Sequence, residues 1–101
     1  MVDKRQTNAY SILMKHFNWN FDKNELLKKV RGISFEEVVS LINSGKVLGV
    51  ERSPNYENQK LYMIDRDGCA YLVPFIETEN EIFLKTIFPS RKYTKKFKIE
   101  I

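Results

Sequence analysis

The apolar positions change their period near the middle of the chain. Before it, apolar residues recur at i, i+3, i+4 and i+7 between Phe35 and Ile42, which is the spacing of an amphipathic helix. Ser34 and Glu37 have the spacing of a capping box, and Gly45 stands where a left-handed C-cap belongs. These signals predict a helix that begins after Ser34 and ends at Gly45.

Another helix is predicted just upstream. Asp22 and Glu25 again have capping-box spacing, and Gly32 marks the end of this helix. The alternation of aromatic and polar residues over Phe17–Asn20 indicates a short, half-buried strand before it. Trp19 and Phe21 are interpreted as core residues rather than as platforms for stacked bases. The apolar side of the helix is formed by Leu26, Leu27 and Val30.

After Gly45 the pattern has a period of two, which is typical of strands. Asp67-Gly68 and Glu79-Asn80 are turn signals that predict two hairpins. Pro74 conflicts with a central strand because proline has no amide hydrogen, so we expect a bulge or a locally unpaired position there. The predicted strands are Val47–Val50, Leu61–Asp65, Cys69–Thr78 and Glu81–Phe88.

This element order predicts an α+β fold, in which two N-terminal helices pack on an antiparallel sheet of four to five strands. A basic C-terminal segment follows the last strand. With 101 residues and 43% hydrophobic content, the chain suits one folded domain. We assign residues 17–101 to that domain and residues 1–16 to an N-terminal extension.

The sequence lacks the residues that several functional classes need. One histidine and one cysteine, far apart, give no metal-ligand spacing, and no Gly-rich phosphate loop is present, so neither a metal nor another cofactor is expected. Asp65 and Asp67 are interpreted as turn residues. The single Cys69, the polar N-terminus and the lack of a long apolar run predict a cytoplasmic protein without a membrane span.

Positive charge is concentrated at the C-terminus. The last thirteen residues carry five Lys or Arg and one acid, whereas Glu51–Phe88 carries seven acids and four bases. Clustered cations among aromatic residues suit a polyanion such as nucleic acid. The alternative is a solvated basic tail. Lys28, Lys29 and Arg31 form a second group, which also complements a helix dipole.

Three segments resemble the BrnT family of bacterial toxins: Phe17–Asn24, Arg31–Val38 and Ser90–Lys92. The family has an aromatic-Trp-acid-x-x-Lys-Asn segment, then Lys-x-His-Gly-Ile-Ser-Phe-Glu-Glu, then Ile-Ser-Ala-Arg-Lys-Ala-Thr. The resemblance spans roughly Phe17 to Phe97. It implies a RelE-like fold and a metal-independent RNA endonuclease that inhibits translation. It also implies mRNA, free or on the ribosome, as the target, and neutralisation by a cognate antitoxin, a DNA-binding protein that represses the operon.

The chain departs from this family at two positions. Arg31 replaces the family histidine, and Ser90 is preceded by Pro89. An arginine stays charged near neutral pH, so an acid–base role of that histidine is not inherited.

For a ribonuclease of this kind we assign Arg91 first to phosphate stabilisation, because a guanidinium binds two phosphoryl oxygens. Candidates for a general base are Lys29, Lys60 and Tyr93, provided that the site lowers their pKa, while His16 lies outside the matched segment. The remaining catalytic candidates are Lys92 and Arg31. The predicted RNA-binding residues are Lys28, Lys60, Tyr93, Lys95 and Lys96.

Two other functions remain open at this stage. The first is a non-catalytic domain that binds nucleic acid or protein and keeps the fold, which the missing histidine favours. The second is a toxin that acts on a protein target such as a topoisomerase.

Overall fold

The computed structural model describes residues 15–54 and 57–97, so residues 1–14 of the predicted extension and Lys98 of the basic segment lie outside the described residues. The helices are α1 (Phe21–Arg31), α2 (Phe35–Asn43) and α3 (Arg91–Lys96). The strands are β1 (His16–Trp19), β2 (Val47–Arg52), β3 (Gln59–Arg66), β4 (Cys69–Glu77), β5 (Glu81–Leu84) and β6 (Phe88–Pro89).

The α+β class is confirmed, but the sheet is larger than predicted and of mixed direction. Among the described residues, six strands form it, in the order β1-β5-β4-β3-β2, with β6 paired to β4. β1 runs parallel to β5, with His16 opposite Glu81, and the other pairs are antiparallel. A four-residue strand carries no signal for its direction, so the pattern alone could not place β1.

Pro74 lies inside the central strand β4, opposite Leu61 of β3. Its carbonyl accepts a hydrogen bond of 2.8 Å from the Lys85 amide, on the side of β5 and β6. The missing proline donor faces the same side, where the ladder is interrupted between Leu84 and Phe88. The prediction of a locally unpaired position is confirmed, and the predicted strand Glu81–Phe88 is divided in two by this break.

One face of the sheet, the helix face, is covered by α1 and α2. Leu27 of α1 and Phe35 and Val38 of α2 are buried against Ile64 and Val73 of the sheet. The predicted apolar side of α1 is therefore only partly right.

Three other α1 residues that the pattern assigned to the core face solvent. Phe21, Leu26 and Val30 are 71%, 51% and 68% exposed. Trp19 of β1, by contrast, stacks on Phe35 with ring centroids 5.6 Å apart, as a core residue does.

The helix caps agree with the prediction for α2 but not for α1. Ser34 accepts a hydrogen bond of 3.1 Å from the Glu37 amide, and Gly45 has a positive φ of 80°. The cap of α1 is Asn20, whose side chain accepts from the Lys23 amide at 2.9 Å. The prediction of Asp22 as the cap was wrong by two positions, because the extended backbone of β1 already ends at Asn20.

A buried amide joins the two helices. Asn24 is 2% exposed; its Oδ1 accepts from the Phe35 amide at 2.7 Å, and its Nδ2 donates to Glu36 at 2.8 Å. The bond from Asn24 is the main reason why the pKa of Glu36 is lowered. This contact fixes the start of α2 against α1.

Arg66 at the end of β3 ties the sheet to both helices. Its Nε donates to the Glu37 carboxylate at 2.7 Å, and its Nη2 donates to the Gly32 carbonyl at 3.0 Å. Glu37 was expected to complete the capping box, but its carboxylate binds Arg66 instead. The bond from the Glu37 amide to Ser34 in the predicted capping box is present, and the Glu37 carboxylate accepts from Arg66 instead of from the Ser34 amide.

The third helix, α3, lies on the opposite face of the sheet, here called the groove face. Thr94 Oγ1 accepts from the Ala70 amide of β4 at 2.8 Å. The end of α3 packs over β2. A Cβ added at Gly49 of β2 would lie 3.1 Å from Met63 Cε and 4.0 Å from Phe97 Cζ, which shows how closely the two elements approach. Lys95 and Lys96 of the basic C-terminal segment therefore lie in a helix that packs on the sheet rather than in a free tail.

No helix in the described part of the chain is long and apolar enough to cross a membrane.

Candidate functional site

The groove face is covered by α3 at one end only, and the remainder forms an open groove of about 830 Å³. We call it the α3 groove. Its apolar floor consists of Leu61, Leu72 and Pro74, whose neighbours in the strands point to the helix face. The other lining residues are Ser53, Pro54, Gln59, Lys85, Thr86, Phe88, Lys92 and Tyr93.

The first wall of the groove is α3, and local hydrogen bonds set its position. Ser90 caps the helix by accepting from the Tyr93 amide at 3.1 Å. Thr94 accepts from Ala70 and donates to the Ser90 carbonyl at 2.8 Å. Because Lys92 and Tyr93 lie between these two anchors, the start of the wall is fixed to β4.

Two residues predicted from the sequence, Lys92 and Tyr93, meet on this wall. The Lys92 ammonium lies 5.7 Å from the centre of the Tyr93 ring, within the range of a cation–π contact. The Tyr93 hydroxyl donates to the Glu51 carboxylate at 3.2 Å. Lys96 lies 3.7 Å from the same carboxylate and 5.3 Å from the Tyr93 ring.

These contacts affect the acidity of Tyr93. Desolvation and then the hydrogen bond to Glu51 raise the pKa of Tyr93 above its usual value. A general base would need a lowered pKa, which these contacts do not provide. The hydroxyl proton is donated to Glu51, so the ring is held in place on the groove wall.

The second wall is the segment between β5 and β6. Lys85 lines the groove, and its ammonium lies 5.7 Å from the centre of the Phe83 ring. Thr86 and Phe88 continue this wall. The segment leaves the ladder opposite Pro74, so the break in the sheet creates the wall.

The cations of α1 lie on the other side of the sheet. α1 packs on the helix face through Leu27, and Lys28 pairs with Glu25 at 3.0 Å. Lys28 and Lys29 are exposed there, so the sheet separates them from the groove. The structure does not bring them together with Lys92.

Arg31 has a contact that links the two sides. Its Nη1 donates to the carbonyl of Ile87, in the segment that leads to α3. Arg31 thus tethers the end of α1 to the chain just before β6. This contact gives Arg31 a structural role.

Lys60 also points away from the groove. It stands opposite Phe75 on the helix face, and its ammonium lies 3.3 Å from the Glu77 carboxylate. Glu77 also pairs with Lys15. The neighbouring Gln59, which the sequence analysis did not select, lines the groove instead.

Arg91 and Lys95 are exposed residues of α3 that are not among the groove-lining residues described above. They are four positions apart and share one side of the helix, while Lys92 and Lys96 share another. The structure therefore places Lys92 on the groove wall and Arg91 on the adjoining surface.

The residues that sequence reasoning missed are Lys85, Thr86 and Gln59. Lys85 stands inside an acidic region of the sequence, so charge clustering did not single it out. A signal for it existed in Pro74, because a proline in a central strand requires a break in the partner strand.

Within residues 15–54 and 57–97, no group of three or more His, Cys, Asp or Glu side chains could hold a metal ion. Comparisons with protein-family models, curated proteins and solved structures find no match for this chain.

Proposed function

We propose that this protein is the toxin of a type II toxin–antitoxin pair, with a RelE-like fold, and that it inhibits translation as a metal-independent RNA endonuclease. The α3 groove is the observation that carries the proposal. It combines an apolar floor, two lysines from separate parts of its lining and the ring of Tyr93. Such a combination suits a nucleotide chain, which presents both base faces and phosphates.

The contacts among the three resembling segments also support the proposal. Trp19 of the first segment stacks on Phe35 of the second, and Asn24 binds the Phe35 amide. Arg31 of the second segment binds Ile87, shortly before Ser90 of the third. Residues that are distant in sequence thus form one connected unit, as expected if the resemblance reflects a common fold.

The chemistry would be an attack of the ribose 2′-oxygen on the adjacent phosphorus, with its proton passing to solvent, and departure of the 5′-oxygen, which takes up a proton from solvent. Negative charge grows on the phosphoryl oxygens in the transition state, so a cation at a fixed position accelerates the step. Lys92 has that position in the groove, with Arg91 on the adjoining surface of α3. The Tyr93 hydroxyl donates its one proton to Glu51, which holds the ring on the wall beside Lys92.

A specific observation favours the alternative of a non-catalytic RNA-binding domain. Among the groove-lining residues that the structure describes, none is a histidine or a carboxylate, and Tyr93 is not a base. The proton of the 2′-hydroxyl then has no acceptor among these groove residues. Binding without cleavage would be the outcome.

The partner proposed for the toxin is its cognate antitoxin, a DNA-binding repressor. An acidic antitoxin segment over the α3 cations would associate faster at low salt and dissociate more readily at high salt. The contact between toxin and antitoxin is expected to weaken as ionic strength rises, measured by titration calorimetry at two salt concentrations.

Cleavage of RNA by the purified protein tests the proposal. The protein is incubated with mRNA, with and without ribosomes, in the presence of EDTA, and the products are resolved on a sequencing gel. Lys92→Ala should lower the cleavage rate by about 10²–10³. Lys46→Ala is the matched control, since it removes the same charge from an exposed position away from the groove.

Three results would be decisive. Cleavage that is abolished by Lys92→Ala and retained by Lys46→Ala supports the proposal. RNA binding without any cleavage supports the non-catalytic alternative. Cleavage by Lys92→Ala at the parent rate, at matched folded concentration checked by circular dichroism, would place the reaction elsewhere.

A further inference from the structure

We propose that Lys85 is a phosphate-binding residue that acts with Lys92 when the α3 groove holds single-stranded RNA. This inference rests on the proposed function, since it adds a residue to the same groove. Lys85 lies on the second wall of the groove, outside the segments that the sequence singled out, and an unpaired strand is preferred over duplex RNA as the ligand.

The floor of the groove determines the strandedness. Leu61 and Leu72 are 8% and 7% exposed, and Pro74 is buried beside them. An apolar floor gains free energy from a flat apolar ligand surface. In duplex RNA the base faces are stacked inside the helix, whereas an unpaired base can turn one face to the protein.

The walls determine the charge of the ligand. Lys85 and Lys92 line the groove from two separate segments, and the described lining residues include no carboxylate that would neutralise them. Phosphates flank each nucleotide on both sides along the chain. A base on the floor with its two phosphates toward the walls therefore matches the groove in both polarity and charge.

The position of Lys85 is built into the sheet. Its amide donates to the Pro74 carbonyl at 2.8 Å, while the following residues leave the ladder. Its side chain lies over Phe83, on the same face as the groove floor. Pro74 thus contributes to the floor and, through the break that it imposes, positions the cation on the wall.

Gln59 and Thr86 supply polar groups for a base edge. Both line the groove, and an amide and a hydroxyl each offer donors and acceptors. The phosphates and the apolar floor provide affinity that is independent of sequence. Gln59→Ala is therefore expected to change the base preference, while the dependence of RNA affinity on salt stays the same.

The inference is tested with a fluorescein-labelled single-stranded 12-mer RNA and with the same RNA annealed to its complement. Fluorescence anisotropy gives the affinity of the parent, Lys85→Ala and Lys46→Ala proteins between 50 and 200 mM salt. The single strand should bind at least about fivefold more tightly than the duplex. Lys85→Ala should weaken single-strand binding roughly fivefold at 0.1 M salt, with a slope in log affinity against log salt that is smaller by about 0.7.

Lys46→Ala should keep the parent slope. Equal binding of duplex and single strand would overturn the strandedness, and equal slopes for Lys85→Ala and Lys46→Ala would overturn the role of Lys85. Both results leave the proposed ribonuclease standing if RNA is still cut. Lys85-dependent binding of single strands without cleavage confirms the inference and overturns the endonuclease.

Discussion

The two faces of the sheet differ in what their residues are used for. On the helix face, Phe35 is fully buried and stacks on Trp19, and its backbone amide donates a hydrogen bond to Asn24 Oδ1. On the groove face, a six-residue helix covers one end of the sheet and leaves the rest accessible. The helix face holds most of the core packing, and the groove face carries the candidate binding site.

This difference changes how the resemblance is interpreted. The more distinctive resembling segments, Phe17–Asn24 and Arg31–Val38, lie on the helix side and are used mainly for packing and helix capping. They are evidence about fold more than about chemistry. Ser90–Lys92 begins the wall of the groove, so this shorter segment bears most directly on function.

The largest effect should come from the helix face. Phe35→Ala removes a fully buried ring and should lower the free energy of unfolding by about 3–5 kcal/mol. Urea denaturation followed by circular dichroism measures it. The control is Phe21→Ala, in which the lost ring is 71% exposed; a similar loss in both variants would contradict the assignment of the core.

A smaller effect, with a different signature, is expected on the groove face. Thr94→Val keeps the shape but removes the acceptor for the Ala70 amide, which should cost about 1–3 kcal/mol. Because this bond anchors α3, RNA affinity should also fall. Thr78→Val, on the exposed turn before β5, is the control and should change neither quantity.

For Thr94→Val, hydrogen exchange separates a local effect on α3 from an effect on the whole fold. Faster exchange in residues 90–97 of Thr94→Val, with unchanged exchange in β3, would show that α3 detaches by itself. If α3 detaches in this variant and RNA affinity does not change, α3 is not part of the binding site.

The smallest effect is expected at the start of α2. Ser34→Ala removes the acceptor of the Glu37 amide and should cost about 1 kcal/mol, with RNA affinity unchanged. Ser40→Ala, at an exposed position of the same helix, is the control. Equal unfolding midpoints for Ser34→Ala and the parent would mean that the cap contributes nothing.

Local signals in the sequence predicted most of the secondary structure. The Ser34 cap, the Gly32 and Gly45 helix ends and the Asp67-Gly68 turn are confirmed, the last with positive φ at both residues. These features depend on neighbours within a few positions. The direction of β1 depends on a pairing with residues more than sixty positions away, which no local pattern encodes.

The candidate site was predicted less completely for a similar reason. Charge clustering found Lys92 and Tyr93, but it also selected Lys28 and Lys29, which fold onto the other face. Lys85 was missed because it is isolated in sequence and reaches the groove through the break opposite Pro74. Ser90 is a residue type that favours the N-cap of a helix, but charge clustering alone does not use this signal for α3.

The most direct test of the division between the two faces is a map of amide chemical-shift changes when a single-stranded RNA is added to the isotopically labelled protein. We expect changes around Gln59, Lys85, Lys92 and Tyr93, and little change along α1. Shifts concentrated at Lys28 and Lys29, with the groove residues unchanged, would contradict it.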